Sequence, residues 1–120
     1  MDIETLKSHA LAKPAATADF PFDEVTMVIR VKGKIFILIP LDASPNTANL
    51  KCDPMWAEIL RQTYSAVRPG WHMNKRHWNT VTFDGTISDE EILEMVDHSY
   101  EQVVKGLPKQ DREALMGKDW

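Results

Sequence analysis

Apolar residues occupy alternate positions over residues 25–31, which is the pattern of a β-strand with one buried face. These residues are Val25, Met27, Ile29 and Val31. Lys32-Gly33 predicts a two-residue turn, because glycine readily accepts a positive φ. Residues 34–39 follow, apolar on both faces after the first position, and predict a central strand that ends at Pro40. Alternation over residues 48–52 predicts a third strand.

The start of the chain has helical spacing instead. Asp2 can act as the N-cap, and the residues that share one helix face are Ile3, Leu6 and Ala10. The helix is expected to end at Lys13-Pro14, because the residue before a proline is pushed out of the α region. Residues 15–23 are rich in small side chains and predict a connection. We expect Phe20 and Phe22 to pin this connection to the core.

A second helix is predicted to begin at Asp53-Pro54, since aspartate caps helices and proline suits their first turn. It ends near Tyr64. Its expected apolar stripe is Trp56, Ile59 and Leu60. Beyond it, Arg68-Pro69-Gly70 predicts a turn, residues 71–73 a short strand, and residues 77–83 a further strand.

The third helix has the clearest signals. Ser88 and Glu91 are spaced as a capping box, and Gly106 with Pro108 marks the end. Its apolar stripe consists of Ile92, Met95, Val96, Tyr100, Val103 and Leu107. Residues 109–120 predict one more short helix. The main elements follow the order α-βββ-α-ββ-α, which predicts an α+β fold of two layers, an antiparallel sheet with helices on one face.

Length and charge refine this picture. The chain of 120 residues fits one domain, covering 1–120. A net charge of −4 argues against a broadly basic nucleic-acid binder. However, residues 28–78 contain eight Lys or Arg and only three Asp or Glu. An acidic protein can therefore present a basic face, although separately solvated charges are equally expected of any surface.

The sequence also bears on the compartment. Cys52 is the single cysteine, so no intramolecular disulfide can form, which fits a reducing environment. No apolar run approaches the ~20 residues that span a bilayer, and the acidic N-terminal residues lack a signal-peptide pattern. We expect a cytoplasmic protein without membrane contact.

Candidate catalytic and metal-binding residues are few. His72 and His77 flank a predicted turn and would need Cys52 or a carboxylate to complete a metal site. The sequence supplies no tight ligand cluster, no signature around a cysteine nucleophile and no phosphate-binding glycine loop. We therefore expect no metal, no cofactor and no enzymatic activity. A small-molecule pocket near His72, His77 and Cys52 is kept as an alternative.

The segment 68–78 is the most distinctive part of the chain. It contains two Trp, two His, two Arg, one Lys, Asn and Met within eleven residues. Basic groups interleaved with aromatic ones suit phosphate contact combined with stacking on bases. Alternatively, Trp71 and Trp78 belong to the core and the charged side chains lie on an exposed turn. This alternative does not explain why residues 74–77 contain so many hydrogen-bond donors.

Several blocks match a known family in order and spacing over nearly the whole chain. They are Lys13-Pro14, Phe20-Pro21-Phe22, Lys32-Gly33-Lys34 with Phe36, Asn49-Leu50-Lys51-Cys52, Pro69-Gly70-Trp71-His72-Met73-Asn74-Lys75-Arg76-His77-Trp78-Asn79-Thr80-Val81, Asp84-Gly85, Asp97-His98-Ser99-Tyr100 and Leu107-Pro108-Lys109. On these residues the chain resembles the MmcQ/YjbR family. The resemblance implies a CyaY-like or secretion-chaperone-like domain and a DNA-binding function through a double-wing arrangement of hairpins. Trp71 departs from the Tyr expected in many relatives.

The leading hypothesis is therefore DNA binding through a basic strand-and-turn face. The expected site residues are Lys32, Lys34, Lys51, Arg68, Asn74, Lys75, Arg76 and His77. The alternative is a protein- or peptide-binding module, by analogy with secretion chaperones. Oligomeric state and target sequence stay open at this point.

Overall fold

A computed structural model describes residues 1–71 and 73–117. The helices are α1 (Ile3–Leu11), α2 (Pro54–Thr63), α3 (Asp89–Lys105) and α4 (Lys109–Met116). The strands are β1 (Ala16–Asp19), β2 (Thr26–Val31), β3 (Lys34–Pro40), β4 (Thr47–Lys51), β5 (Val67–Pro69) and β6 (Trp78–Thr82). The six strands form an antiparallel sheet in the order β1-β2-β3-β4-β6-β5. The predicted α+β class is confirmed.

The helices form one layer over the sheet. α3 lies across β2, β3 and β4, α1 packs between α3 and β1, and α2 packs beside β5. One buried cluster joins sheet and helices, and its fully buried large side chains include Leu6, Ile29, Phe36, Ile37, Ile39, Val81, Ile92, Val96 and Val104. The predicted stripe of α3 is buried along its length. None of the helices among residues 1–71 and 73–117 is long and apolar enough to cross a membrane.

The predicted helix starts are confirmed by their N-caps. Asp2 accepts a hydrogen bond from Thr5 N, Asp53 from Met55 N, and Ser88 from Glu91 N. The turn at Lys32-Gly33 has positive φ at both residues, 50° and 81°, as a type I′ hairpin turn requires. The short helix expected after residue 108 is α4, and residues 118–120 lie outside the described part of the chain.

The strand β1 was not predicted, so the observed order contains four strands before α2 instead of three. Its sequence, Ala-Thr-Ala-Asp, has no apolar alternation, and it is mostly exposed at the edge of the sheet. Backbone pairing with β2 places it there, from Ala16 opposite Val31 to Asp19 opposite Val28. The expectation for Phe20 and Phe22 was wrong, since these rings are 46% and 64% exposed.

The predictions for residues 67–73 also need correction. Arg68 and Pro69, expected to lie in a turn with Gly70, belong to the edge strand β5 (Val67–Pro69). Proline loses no hydrogen bond there, because its missing donor would face solvent. Trp71 lies in a turn instead of a short strand. The residue before it is Gly70. Only glycine fits there without a shift, because a Cβ at this position would lie 2.8 Å from Trp78 Cβ.

Candidate nucleic-acid interface

The ladder between β3 and β4 stops short at one end of the sheet, and a side chain from α3 completes it. The two strands pair at Ile37 with Leu50 and at Leu38 with Asn49. Beyond that point the Ser99 hydroxyl, fully buried, accepts a bond from Lys51 N at 2.8 Å and donates to the Phe36 carbonyl at 2.5 Å. Ser99 therefore holds β3 and β4 at a fixed separation where they do not pair with each other, and Lys51 lies at this position.

A groove of about 500 Å³ lies at this end of the sheet. Its lining combines three cations with apolar side chains and glycine backbone. The lining residues are Arg30, Gly33, Lys34, Ile35, Lys51, Met73, Trp78, Val103 and Gly106. None of these described residues is acidic, although Arg30 is paired with Asp19 at 2.9 Å and also donates to the Gly33 carbonyl. Of the three cations in the groove, Lys34 and Lys51 form no ion pair with any described residue.

A second groove of about 270 Å³ adjoins the first. Its lining is Lys51, Asn74, His77, Trp78 and Gln102. Lys51 and Trp78 line both grooves because they are direct cross-strand partners on β4 and β6. The two spaces therefore form one continuous surface, cationic at the β3 side and rich in amide and imidazole groups at the other.

The loop between β5 and β6 is folded around Asn74. The Asn74 side-chain oxygen accepts hydrogen bonds from the backbone N–H groups of Arg76 and His77, at 3.0 and 3.3 Å. The Asn74 carbonyl also accepts from the N–H groups of His77 and Trp78. Asparagine suits this role because its short side chain reaches its own backbone two residues on. Its amide nitrogen has no hydrogen-bond partner among residues 1–71 and 73–117 and can donate to a ligand in the groove.

Arg61 of α2 ties this loop to the helix layer, a role that the sequence analysis missed. Its Nε donates to Asn79 Oδ1 at 2.7 Å, and its Nη2 donates to the carbonyls of Trp78, at 3.2 Å, and Lys75. Nη1 pairs with Glu58 at 3.2 Å. The available signal was helical position: Arg61 lies four residues after the buried Ala57, on a face where a charged side chain needs internal partners.

The predicted site residues divide into two groups. Lys34, Lys51, Asn74 and His77 are brought together on the grooves.

The other four predicted site residues do not line either groove. The Arg68 guanidinium donates to the Thr82 hydroxyl. Thr82 lies four residues along β6 from Trp78, a separation of about 13 Å at the usual strand rise. The Lys75 ammonium donates to the Gly70 carbonyl at 3.1 Å, within its own loop. Lys32 and Arg76 are exposed, each in a turn and directly before a groove residue, Gly33 and His77 respectively.

Cys52 and His77 line separate spaces. The Cys52 side chain lies at a small cavity between α2, α3 and the sheet, with Trp56, Asn79 and His98 also in the lining. Its volume of about 10 Å³ holds one water molecule at most, which is too small for a substrate. Burial and the neighbouring Asp53 raise the pKa of the Cys52 thiol to about 12, so the thiolate that nucleophilic chemistry needs is scarce.

The histidines have different settings. His98 accepts a hydrogen bond from Asp53 N at 3.0 Å through Nε2, and its ring meets Trp56 edge to face. Burial lowers the pKa of His98, which favours the neutral ring that this bond requires. His72, a candidate for metal or pocket chemistry, lies outside the described residues. Among the residues that the structure describes, no three or more His, Cys, Asp or Glu side chains are grouped as metal ligands.

Comparison with known proteins identifies the family. The YjbR family model matches residues 11–102, which include both grooves apart from Val103 and Gly106 at the end of α3. This chain belongs to the YjbR family. The Escherichia coli K12 uncharacterized protein YjbR is 38% identical over 116 residues, covering 97% of this chain and 98% of that protein.

Solved structures of similar chains support the same assignment. The crystal structure of Deinococcus radiodurans protein DR2400, a DUF419 domain, is 36% identical and superposes with a TM-score of 0.90 over 98% of this YjbR-family chain and 89% of its own. A Pseudomonas syringae protein of known structure reaches a TM-score of 0.72 at 23% identity, over 85% of this chain and 98% of that one, and supports the fold alone. The names of these proteins state no activity.

Proposed function

We propose that this YjbR-family domain binds nucleic acid, DNA in the first instance, along the two joined grooves. The observation that supports it most directly is the lining around Lys51. Lys34 and Lys51 lie beside Trp78, with no acidic side chain among the described lining residues. A surface of this composition attracts a polyanion and offers it an aromatic contact.

Each part of the lining has a chemical role in this proposal. Lys34 and Lys51 contact phosphates, which supplies affinity without sequence preference. His77 and the amides of Asn74 and Gln102 donate and accept hydrogen bonds to bases or sugars. The overall charge of −4 opposes long-range attraction, so binding depends on the local excess of cations at this end of the sheet.

Fluorescence anisotropy with labelled oligonucleotides, both single-stranded and duplex, tests the proposal. Wild type is expected to bind at about 50 mM salt and to weaken steeply by about 200 mM, because phosphate contacts release counterions. Lys51→Met removes one contact and should weaken binding and flatten the salt dependence. Lys7→Met is the matched control, since this lysine lies on α1 and outside both linings.

Two outcomes would overturn the proposal. One is the absence of binding to every oligonucleotide at about 50 mM salt, where phosphate contacts are strong. The other is equal weakening by Lys51→Met and Lys7→Met, because binding would then follow net charge and not the grooves.

A further inference from the structure

We infer that the grooves accept a single-stranded segment in preference to a duplex, with a base against Trp78 and the adjacent phosphate at Lys51. The inference rests on the proposed function and specifies its ligand. It follows from three features: the concave placement of the cations, the charge of the helix faces, and the position of Trp78 at the junction of the two grooves.

The cations lie along a groove, where Lys51 is half-buried and Lys34 is exposed. Lys34 and Lys51 share the larger groove with the β2–β3 turn at Gly33, the loop residue Met73, and the end of α3 at Gly106. A duplex is a stiff rod that carries its phosphates outward, and proteins read it with a helix or a two-stranded ribbon that enters its groove. A flexible single strand can instead enter a recess and follow its cations.

The described helices offer no basic face for a major groove. The exposed side of α2 carries Met55, Glu58 and Ile59. The first turn of α3 is acidic at all three of its initial positions, Asp89, Glu90 and Glu91. The short helices α1 and α4 each mix acidic and basic residues. A duplex would therefore meet repulsion or apolar surface at the helices.

Trp78 links the two halves of the surface. It is half-buried and lines both grooves, with Lys34 and Lys51 on one side and the amides of Asn74 and Gln102 on the other. Stacking on an aromatic ring requires an unstacked base, and amide side chains can reach the pairing edges of a base only when no partner strand covers them. A single strand presents both features and a duplex presents neither.

The test compares equilibrium binding of a single-stranded DNA of about 12 nucleotides with that of a DNA duplex of the same sequence. The salt concentration is about 100 mM, at which phosphate contacts are only partly screened. We expect the single strand to bind at least tenfold more tightly and to quench tryptophan fluorescence. Trp78→Leu should weaken single-strand binding by about 5- to 150-fold, the range of one lost stacking contact, whereas Trp78→Phe should retain most of it. Lys51→Met should reduce the slope of log K against log salt by about 0.7.

Trp78→Phe also separates stacking from folding, because Trp78→Leu can lower stability through lost packing. In Trp78→Phe, binding should persist while most of the fluorescence quenching disappears. Duplex binding equal to or tighter than single-strand binding overturns the inference and leaves the proposed function standing. Failure of both ligands to bind overturns both. Single-strand binding with unchanged quenching in Trp78→Phe overturns the contact at Trp78.

Discussion

Replacing Ser99 by alanine removes the hydroxyl that joins α3 to the two strands beside the grooves. That hydroxyl is fully buried and makes two bonds, from Lys51 N at 2.8 Å and to the Phe36 carbonyl at 2.5 Å. Alanine has almost the same volume and a better helix propensity, so neither a clash nor a weaker helix accompanies the change. The substitution therefore isolates the cost of two backbone groups that lose their partner.

The magnitude follows from the burial of those groups. A buried donor or acceptor left without a partner costs about 1–3 kcal/mol. A carbonyl tolerates this better than an N–H, because it has two lone pairs and is more often under-satisfied in native proteins. We expect the free energy of unfolding to fall by about 2–4 kcal/mol in total. For a domain of this size that corresponds to a fall in Tm of roughly 8–16 °C.

Urea unfolding followed by circular dichroism measures this change, with wild type and Ser8→Ala as references. Ser8 lies on the exposed side of α1, so its replacement should change stability by no more than about 0.5 kcal/mol. A loss below about 1 kcal/mol for Ser99→Ala, with an unchanged m-value, would refute the reasoning, because the two backbone groups would then not depend on Ser99.

Three further predictions concern the loop, the thiol and acid stability. Arg61→Lys should destabilise the domain by about 1–3 kcal/mol and speed amide hydrogen exchange of residues 74–78, since lysine cannot reproduce the guanidinium fork; unchanged exchange would contradict the role of Arg61. Cys52, with its pKa raised to about 12 by burial, should react with iodoacetamide at pH 8 far more slowly in the folded protein than in urea, and equal rates would contradict its placement. For Asp97, burial raises the pKa, but bonds from Lys13 and His9 outweigh it and hold the pKa below the ordinary 3.8. Its stabilisation is present above about pH 4 and lost as pH falls through the folded-state pKa, so the stability difference from Asp97→Asn should shrink below about pH 4 in acid titrations, and a constant difference would contradict this.

Much of the fold can be predicted from short-range patterns. The caps at Asp2, Asp53 and Ser88, and the Lys32-Gly33 turn, depend on residues within three or four positions of each other. The apolar stripe of α3 and the alternation in β2 reflect the same local periodicities. Ile59 shows the limit of this reasoning, because helical spacing placed it with the buried residues of α2, yet it is 54% exposed.

The edge strands could not be predicted in this way. The segments Ala16–Asp19 and Val67–Pro69 have little apolar character of their own. They are strands because β2, over residues 28–31, and β6, over residues 79–81, offer backbone groups with which they pair. Such pairing is a property of the neighbouring strand, and a sequence window that covers only the edge segment does not contain it.

The candidate site shows the same division. The sequence by itself determined the chemistry available in residues 28–78: cations, amides, imidazoles and tryptophan. Only the tertiary structure decided which of them meet. Pairing of β4 with β6 places Lys51 opposite Trp78, and Ser99 holds the neighbouring strands at a fixed separation. The same register carries Arg68 toward the far end of β6. These groups are distant in sequence, so their distances depend on strand register and helix packing, which local residue patterns do not encode.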